Sequence, residues 1–285
     1  MNWLDEGSLY SQIGLFLRED LGRGDITTQS IVARNTRARA RFVAGENMIV
    51  AGLEAAEEVF LNLDSQQQLE AFASDGEEVE AGKVIARMTG FADVLLSGER
   101  VALNLLQHLS GVASLTSRFV KAVAGTDAVI VDSRATIPGL RMLQKYAVLL
   151  GGGQGNRFGL DDGVEITANH ASVVGGIGAA VRIGKEKLGR LHKIKVCVTN
   201  ESELRDAIAN GADILSFSEK SLQEFARWVT ISRQLAPAVA IEYSGSNISL
   251  ENVGSYAEAG ADMICIGRLT NSAPAIDITF QIQPF

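Results

Sequence analysis

Three arginines stand where a fold could aim them at an anion: Arg134 in DSRATIPG, Arg157 in GGGQGNRFG and Arg100 in SGERVALN. A guanidinium fork carries parallel N–H donors that match the two oxygens of a carboxylate or phosphate, and it keeps its charge at any physiological pH. Arg134 follows an apolar β-type run, AVIVDS, and precedes a Pro-Gly turn. That is how a strand end presents a cation to a ligand in an α/β fold. Arg157 closes a stretch, residues 151–157, too rich in glycine for a helix; it predicts a loop whose backbone approaches a ligand closely. Beside Arg134 stands Ala135, whose side chain donates nothing.

The elements that must position these residues repeat from about residue 127. Short β-type runs (AVIVDS, GVEIT, KIKVCV, ADILSF, AVAIEYSG, ADMICIG) alternate with helical stretches such as ESELRDAIANG and SLQEFARWVTISRQL. That spacing predicts parallel strands joined by right-handed crossovers. No GxGxxG turn follows the first run, so a βα-barrel is expected, with its site at the carboxyl ends of the strands. Before residue 115 the rhythm differs. A strand (RARARFVAG), a helix, short strands around Gly76 and Gly82, and a long amphipathic helix with an expected break at Gly111 follow one another. The division predicted is residues 1–114, rejoined by about 273–285, and a barrel over 115–272.

The chain has 285 residues, 46% hydrophobic and 21% charged, enough for one large core or two smaller ones. Its formal charge of −8 argues against a general affinity for nucleic acid or anionic membrane. Cys197 and Cys265 lie in apolar runs and read as buried thiols in a reducing compartment. The opening MNWLDEGSLYSQ is no secretory signal, and apolar runs fall well short of the ~20 residues of a membrane span. A cytoplasmic protein is expected.

The motifs LREDLGRGDITT, GERVALNLLQHLSG, DSRATIPGLRMLQKYAV, GGGQGNRFGL, SLENVGSYAEAGAD and IGRLTNSAPAIDI occur in order along essentially the whole chain. Together they resemble the nicotinate-nucleotide pyrophosphorylase (carboxylating), or quinolinate phosphoribosyltransferase, family. The resemblance implies the type II phosphoribosyltransferase fold, an N-terminal open α/β sandwich plus an incomplete α/β barrel. It implies a pentosyltransferase reaction: quinolinate and phosphoribosyl pyrophosphate, with Mg²⁺, give nicotinate mononucleotide, pyrophosphate and CO₂. By the same resemblance Arg100, Arg134 and Arg157 bind the diacid, and Ser244, Gly245 and Gly267 lie where the phosphoribosyl group is held. Lys145, Asn169 and His170 also fall at family positions. The resemblance further implies a homodimer or larger homo-oligomer in which Arg100 reaches a second copy's pocket.

The departures gather at the same place. The family has lysine at Ala135, histidine at Asn156, lysine and aspartate at Thr167 and Ala168, and histidine at Asn271; Ser218 and Glu219 replace an aspartate-asparagine pair. Lys195 and Cys197 stand at acidic positions of a family strand. Strand alternation places Lys193, Lys195 and Cys197 on one face and Ile194, Val196 and Val198 on the other, so Lys195 and Cys197 are expected to face the barrel interior with Glu165 nearby. Lys195 in place of an acid repels Mg²⁺. Three readings follow: retained family turnover with Mg²⁺; an enzyme retuned to another small anionic ligand, with Glu165, Lys195, Cys197, Tyr243 and Arg268 forming the new site; or a non-catalytic binding or regulatory protein. No catalytic residue or metal ligand is singled out, and Cys197 has no evident histidine partner to make it a nucleophile.

Overall fold

A computed structural model describes residues 6–285; the first five residues, part of the stretch inspected for a secretory signal, lie outside the described residues. By internal contacts the chain divides into two units: residues 1–117, 136–152 and 270–285, and residues 118–135 with 153–269. Residues 136–152, which the sequence rhythm assigns to the barrel, group with the first unit.

The chain runs through α1 (Glu6–Leu21), α2 (Ile26–Ile31), β1 (Arg37–Ala44), β2 (Met48–Ile49), α3 (Leu53–Leu63), β3 (Gln68–Ala71), β4 (Glu78–Val79), β5 (Val84–Phe91) and α4 (Ala92–Ala122). A four-stranded sheet orders β1 between β5 and β12 (Ile278–Pro284), with β3 outermost. In β1, strict alternation buries Ala38, Ala40, Phe42 and Ala44 and leaves Arg37, Arg39 and Arg41 on the opposite face. The buried face is packed by Phe42, whose ring lies 4.9 Å from Phe280 and 6.3 Å from Phe60 of α3.

α4 runs unbroken through Gly111, contrary to the expected break. The glycine is there for close packing: a Cβ on Gly111 would come 2.1 Å from the Pro274 carbonyl oxygen. Gly151 has the same reason, since a Cβ there would meet the Ala113 carbonyl oxygen at 2.3 Å. The glycine-rich loop therefore opens with a glycine required for helix packing. Just before the loop, α5 (Arg141–Leu150) is tied within the first unit by Tyr146 Oη donating to Asp75 Oδ2 at 3.1 Å and by Gln144 to His108 at 2.8 Å.

The second unit continues with β6 (Val129–Val131), β7 (Val164–Ile166), α6 (Ala168–Val174), α7 (Ile177–Lys187), β8 (Ile194–Val198), α8 (Glu201–Ala209), β9 (Ile214–Ser218), α9 (Leu222–Leu235), β10 (Ala240–Ser244), α10 (Val253–Glu258), β11 (Met263–Cys265) and α11 (Arg268–Asn271), whose residues from Thr270 on are grouped with the first unit. Its six strands form one parallel sheet in the order β6-β11-β10-β9-β8-β7. Crossover helices cover one face, against which Ile194, Val196, Leu215, Phe217, Ile241 and Tyr243 are fully buried. Tyr243 stacks on Tyr256 at 3.8 Å and donates to the Lys220 carbonyl at 2.8 Å. It belongs to this aromatic layer and not to the site, a correction that strand alternation explains.

Gly111→Ala is expected to destabilise the protein by about 1–3 kcal/mol, because helix and Pro274 backbone must separate. Urea denaturation of the variant measures it. Gly125→Ala, at a turn where a Cβ meets nothing but φ is +89°, is the comparison for backbone strain without crowding.

Candidate functional site

The opposite face of the parallel sheet carries a polar layer. Register pairs Glu165 of β7 with Lys195 of β8, Cys197 with Ser216 of β9, Ser216 with Glu242 of β10, and Ser244 with both Ser218 and Cys265. These side chains, together with Ser133, Arg134, Asn156 and Arg157, line a cavity of about 170 Å³. That is smaller than the roughly 300 Å³ at which drug-sized ligand pockets begin.

Lys195 organises the layer. Its Nζ lies 3.0 Å from Glu242 Oε1, 3.2 Å from Glu242 Oε2 and 3.0 Å from Glu165 Oε1. Glu242 is also held by Ser216 Oγ at 2.8 Å and Asn156 Nδ2 at 2.9 Å. Glu165 reaches the other way, to Arg157 Nη2 at 2.9 Å. Arg157 also donates from Nη1 to the Gly163 carbonyl at 3.1 Å, while its buried Nε has no partner among the described residues. The result is a chain of alternating charges, Arg157–Glu165–Lys195–Glu242, whose formal sum is zero.

The titration behaviour follows from that geometry. Burial opposes the charged form of Lys195, but attraction from Glu242 and then Glu165 outweighs it and raises its pKa above the ordinary lysine range. Burial likewise pushes Glu165 up, yet Lys195 and Arg157 leave it lowered. Burial, with Glu165 next, pushes the Cys197 thiol up to about 11. Burial and the charge of Glu242 push Cys265 up to about 12. Both thiols are free and protonated at neutral pH, which makes them poor nucleophiles.

Arg134 lines the cavity from an exposed position, and among the described residues it makes no hydrogen bond or ion pair. Ala135 is exposed beside it, its N–H donating to Ser133 Oγ at 3.0 Å. A Cβ on Gly267 would come 3.2 Å from that same Oγ. At the carboxyl end of β10, Ser244 Oγ pairs with Ser218 Oγ at 2.7 Å. Ser246 N–H, one residue past Gly245, donates to Glu219 Oε1 at 2.6 Å. Glu219 does this from a left-handed backbone, φ 54°. That conformation costs a residue with a Cβ about 1–2 kcal/mol.

Other predicted residues serve elsewhere. Thr167 caps α6, and His170 Nδ1 accepts from the Thr167 N–H at 3.2 Å, with Asn169 exposed on the same turn. Arg268 is exposed, its guanidinium 5.4 Å from the Phe119 ring, and it does not line the cavity. Lys193 is exposed ahead of β8. Arg100, Lys145 and Asn271 belong to the first unit: Arg100 exposed on α4, Lys145 buried on α5, Asn271 exposed at the end of α11. Glu242 is the one wall carboxylate that no sequence motif singles out. Its signal is there, a lone acid inside the apolar run AVAIEYSG, on the strand face opposite Ile241 and Tyr243.

Family models for the quinolinate phosphoribosyl transferase N-terminal and C-terminal domains match residues 25–110 and 112–281. The chain belongs to the quinolinate phosphoribosyltransferase family. It is 39% identical to a probable carboxylating nicotinate-nucleotide pyrophosphorylase of Synechocystis, over 94% of this chain and 90% of that one. A Bacillus subtilis protein of the same description is 38% identical over 94% and 91% of the two chains. The solved nicotinate-nucleotide pyrophosphorylase of Francisella tularensis superposes with a TM-score of 0.91 at 36% identity, covering 98% of both chains. No helix among the described residues is long and apolar enough to cross a membrane.

Lys195→Met alone is expected to cost about 3–5 kcal/mol, because it leaves Glu242 buried with an uncompensated charge. Adding Glu242→Leu should recover most of that loss. The sign of each shift sets the pH window. Glu165 is lowered, so its contribution is full above the unfolded carboxylate range and lost as pH falls through its folded value. Lys195 is raised, so its contribution holds below the ordinary lysine range and is lost as pH climbs through the folded value. Urea midpoints across pH should therefore be flat between about pH 5 and about pH 10 as far as this network is concerned, and the double variant should lose the Lys195 limb.

Proposed function

We propose that this chain is a pyrophosphorylase-like member of its family whose barrel cavity binds a small ligand with one anionic group and does not turn over quinolinate efficiently. The observation that supports it is the pairing of Arg157 and Lys195 with the chain's own carboxylates, Glu165 and Glu242, at 2.9–3.2 Å. Among the described residues that line the cavity, a dicarboxylate arriving there meets a neutral wall and a single open cation, Arg134. Freeing Arg157 means breaking its pair with Glu165, and hydrogen bonds to charged groups are worth about 1.5–3 kcal/mol each.

The relatives' names give the frame of the chemistry, a carboxylating pyrophosphorylase. In this reading the frame is kept and the acceptor is changed. Arg134 binds the anionic group of the ligand; Ser133, Ser218 and Ser244 supply hydroxyls along the wall. Mg²⁺ does not fit the residues present. The two carboxylates on the wall flank an ammonium, so a divalent cation would have to displace Lys195 or sit beside it. A non-catalytic role has one observation in its favour, the Glu219 carboxylate on the Ser246 N–H, where an external anion would otherwise accept. Arg100 serves a second copy in a homodimer or larger homo-oligomer, as the family resemblance implies, and the protein is cytoplasmic.

A radiometric assay with quinolinate, phosphoribosyl pyrophosphate and Mg²⁺, run beside the Bacillus subtilis relative, tests the proposal. Turnover at least about 10³ lower is expected, since each lost electrostatic stabiliser is worth on the order of 10²–10³. Turnover equal to the relative's refutes it. In calorimetry, Glu165→Gln should improve quinolinate binding by roughly 10-fold or more by releasing Arg157. Restoring Ala135→Lys, Thr167→Lys and Asn156→His together should raise the residual rate.

A further inference from the structure

The RARAR run of β1 takes no part in the barrel site, and we infer that the sheet face it forms is a binding site for an oligophosphate group. Arg39 and Arg41 of β1, Arg87 of β5, and Gln281 and Gln283 of β12 line a concavity of about 240 Å³ in the first unit. Every lining side chain is a guanidinium or an amide. Antiparallel register sets Arg41 directly opposite Arg87 on one side and Gln281 on the other, with Arg39 opposite Gln283. Residues two apart on a strand are about 6.8 Å apart and neighbouring strands about 4.8 Å, so three forks are rooted within the span of two or three linked phosphates.

Two features distinguish this face from ordinary surface charge. Like charges directly opposite one another destabilise a sheet, and the Arg41–Arg87 pair is such a case. Glu70 relieves part of it, pairing with Arg87 at 2.7 Å, but both partners are exposed and the effect is small. Arg41 has only a 3.3 Å hydrogen bond to Gln281 Oε1, and Arg39 has no carboxylate within ion-pair distance among the described residues. The second feature is preorganisation. The Arg39 guanidinium lies 4.2 Å from the Phe285 ring and that of Arg87 lies 4.9 Å from the Phe72 ring. Stacking uses the guanidinium face and leaves the in-plane N–H donors for a ligand. In a chain of net charge −8, this concentration of donors selects an anion with several charges close together. The volume suits the phosphate chain itself, inorganic or as the tail of a nucleotide whose base lies outside.

Calorimetric titration with inorganic tripolyphosphate and with ATP, adenosine serving as control, tests this. Both anions should bind the wild type, more weakly at high salt, and each should raise Tm. Equal affinity identifies the phosphate chain as the whole ligand, and tighter binding of ATP identifies a nucleotide. The Arg39→Gln/Arg41→Gln double variant should lose at least about tenfold in affinity, with its ligand-free Tm unchanged or higher because the like-charge pair is gone. Arg134→Ala, in the barrel cavity, should bind as the wild type does. No binding by the wild type, binding that persists in the double variant, or loss in Arg134→Ala instead overturns the inference.

Discussion

Lys195 lies within 3.2 Å of carboxylate oxygens from two strands, inside a sheet whose other face is sealed by aromatic and aliphatic side chains. An ammonium in such a place must keep its partners, because the cost of leaving a buried charge alone is larger than the net worth of the pair. Glu242 is therefore fixed between Lys195, Ser216 and Asn156, and Glu165 between Lys195 and Arg157. The orientation of every charged group on the cavity wall except Arg134 descends from that one requirement.

The same requirement separates scaffold from chemistry. The fold of the family is kept, with a TM-score of 0.91 to a solved relative. Fold alone does not fix activity. Catalysis needs charges that are more useful in the transition state than in the resting protein. In the proposed reading, cations already satisfied by internal carboxylates have little left to give a substrate. Glu219 repeats the pattern on a smaller scale, its carboxylate accepting from the Ser246 N–H at the carboxyl end of β10. At two separate points the chain supplies its own anion.

Much of this was legible in the sequence. Alternation in KIKVCV put Ile194, Val196 and Val198 under the helices and Lys195 and Cys197 opposite, as observed. The arginines at strand and loop ends, Arg134 and Arg157, do line one cavity. What could not be read was pairing between strands distant in sequence. Nothing local to Glu242 announces Lys195, 47 residues earlier, as its partner. Arg268 and Tyr243 do not line the cavity, for different reasons: one sits past its strand on the surface, the other obeys the alternation that buries Ile241 and turns Glu242 to the cavity wall. Gly111 failed because a glycine in a long helix can mark a neighbour's backbone rather than a break.

The most direct measurement is the resonance of Lys195 Nζ by nitrogen-detected NMR, followed through pH and with added quinolinate. Lys195 is expected to stay an ammonium beyond the ordinary lysine value of about 10.4, with a resonance that does not move when quinolinate is added. Titration at or below that value, or a shift on adding quinolinate, would contradict a barrel interior whose charges are already mutually satisfied.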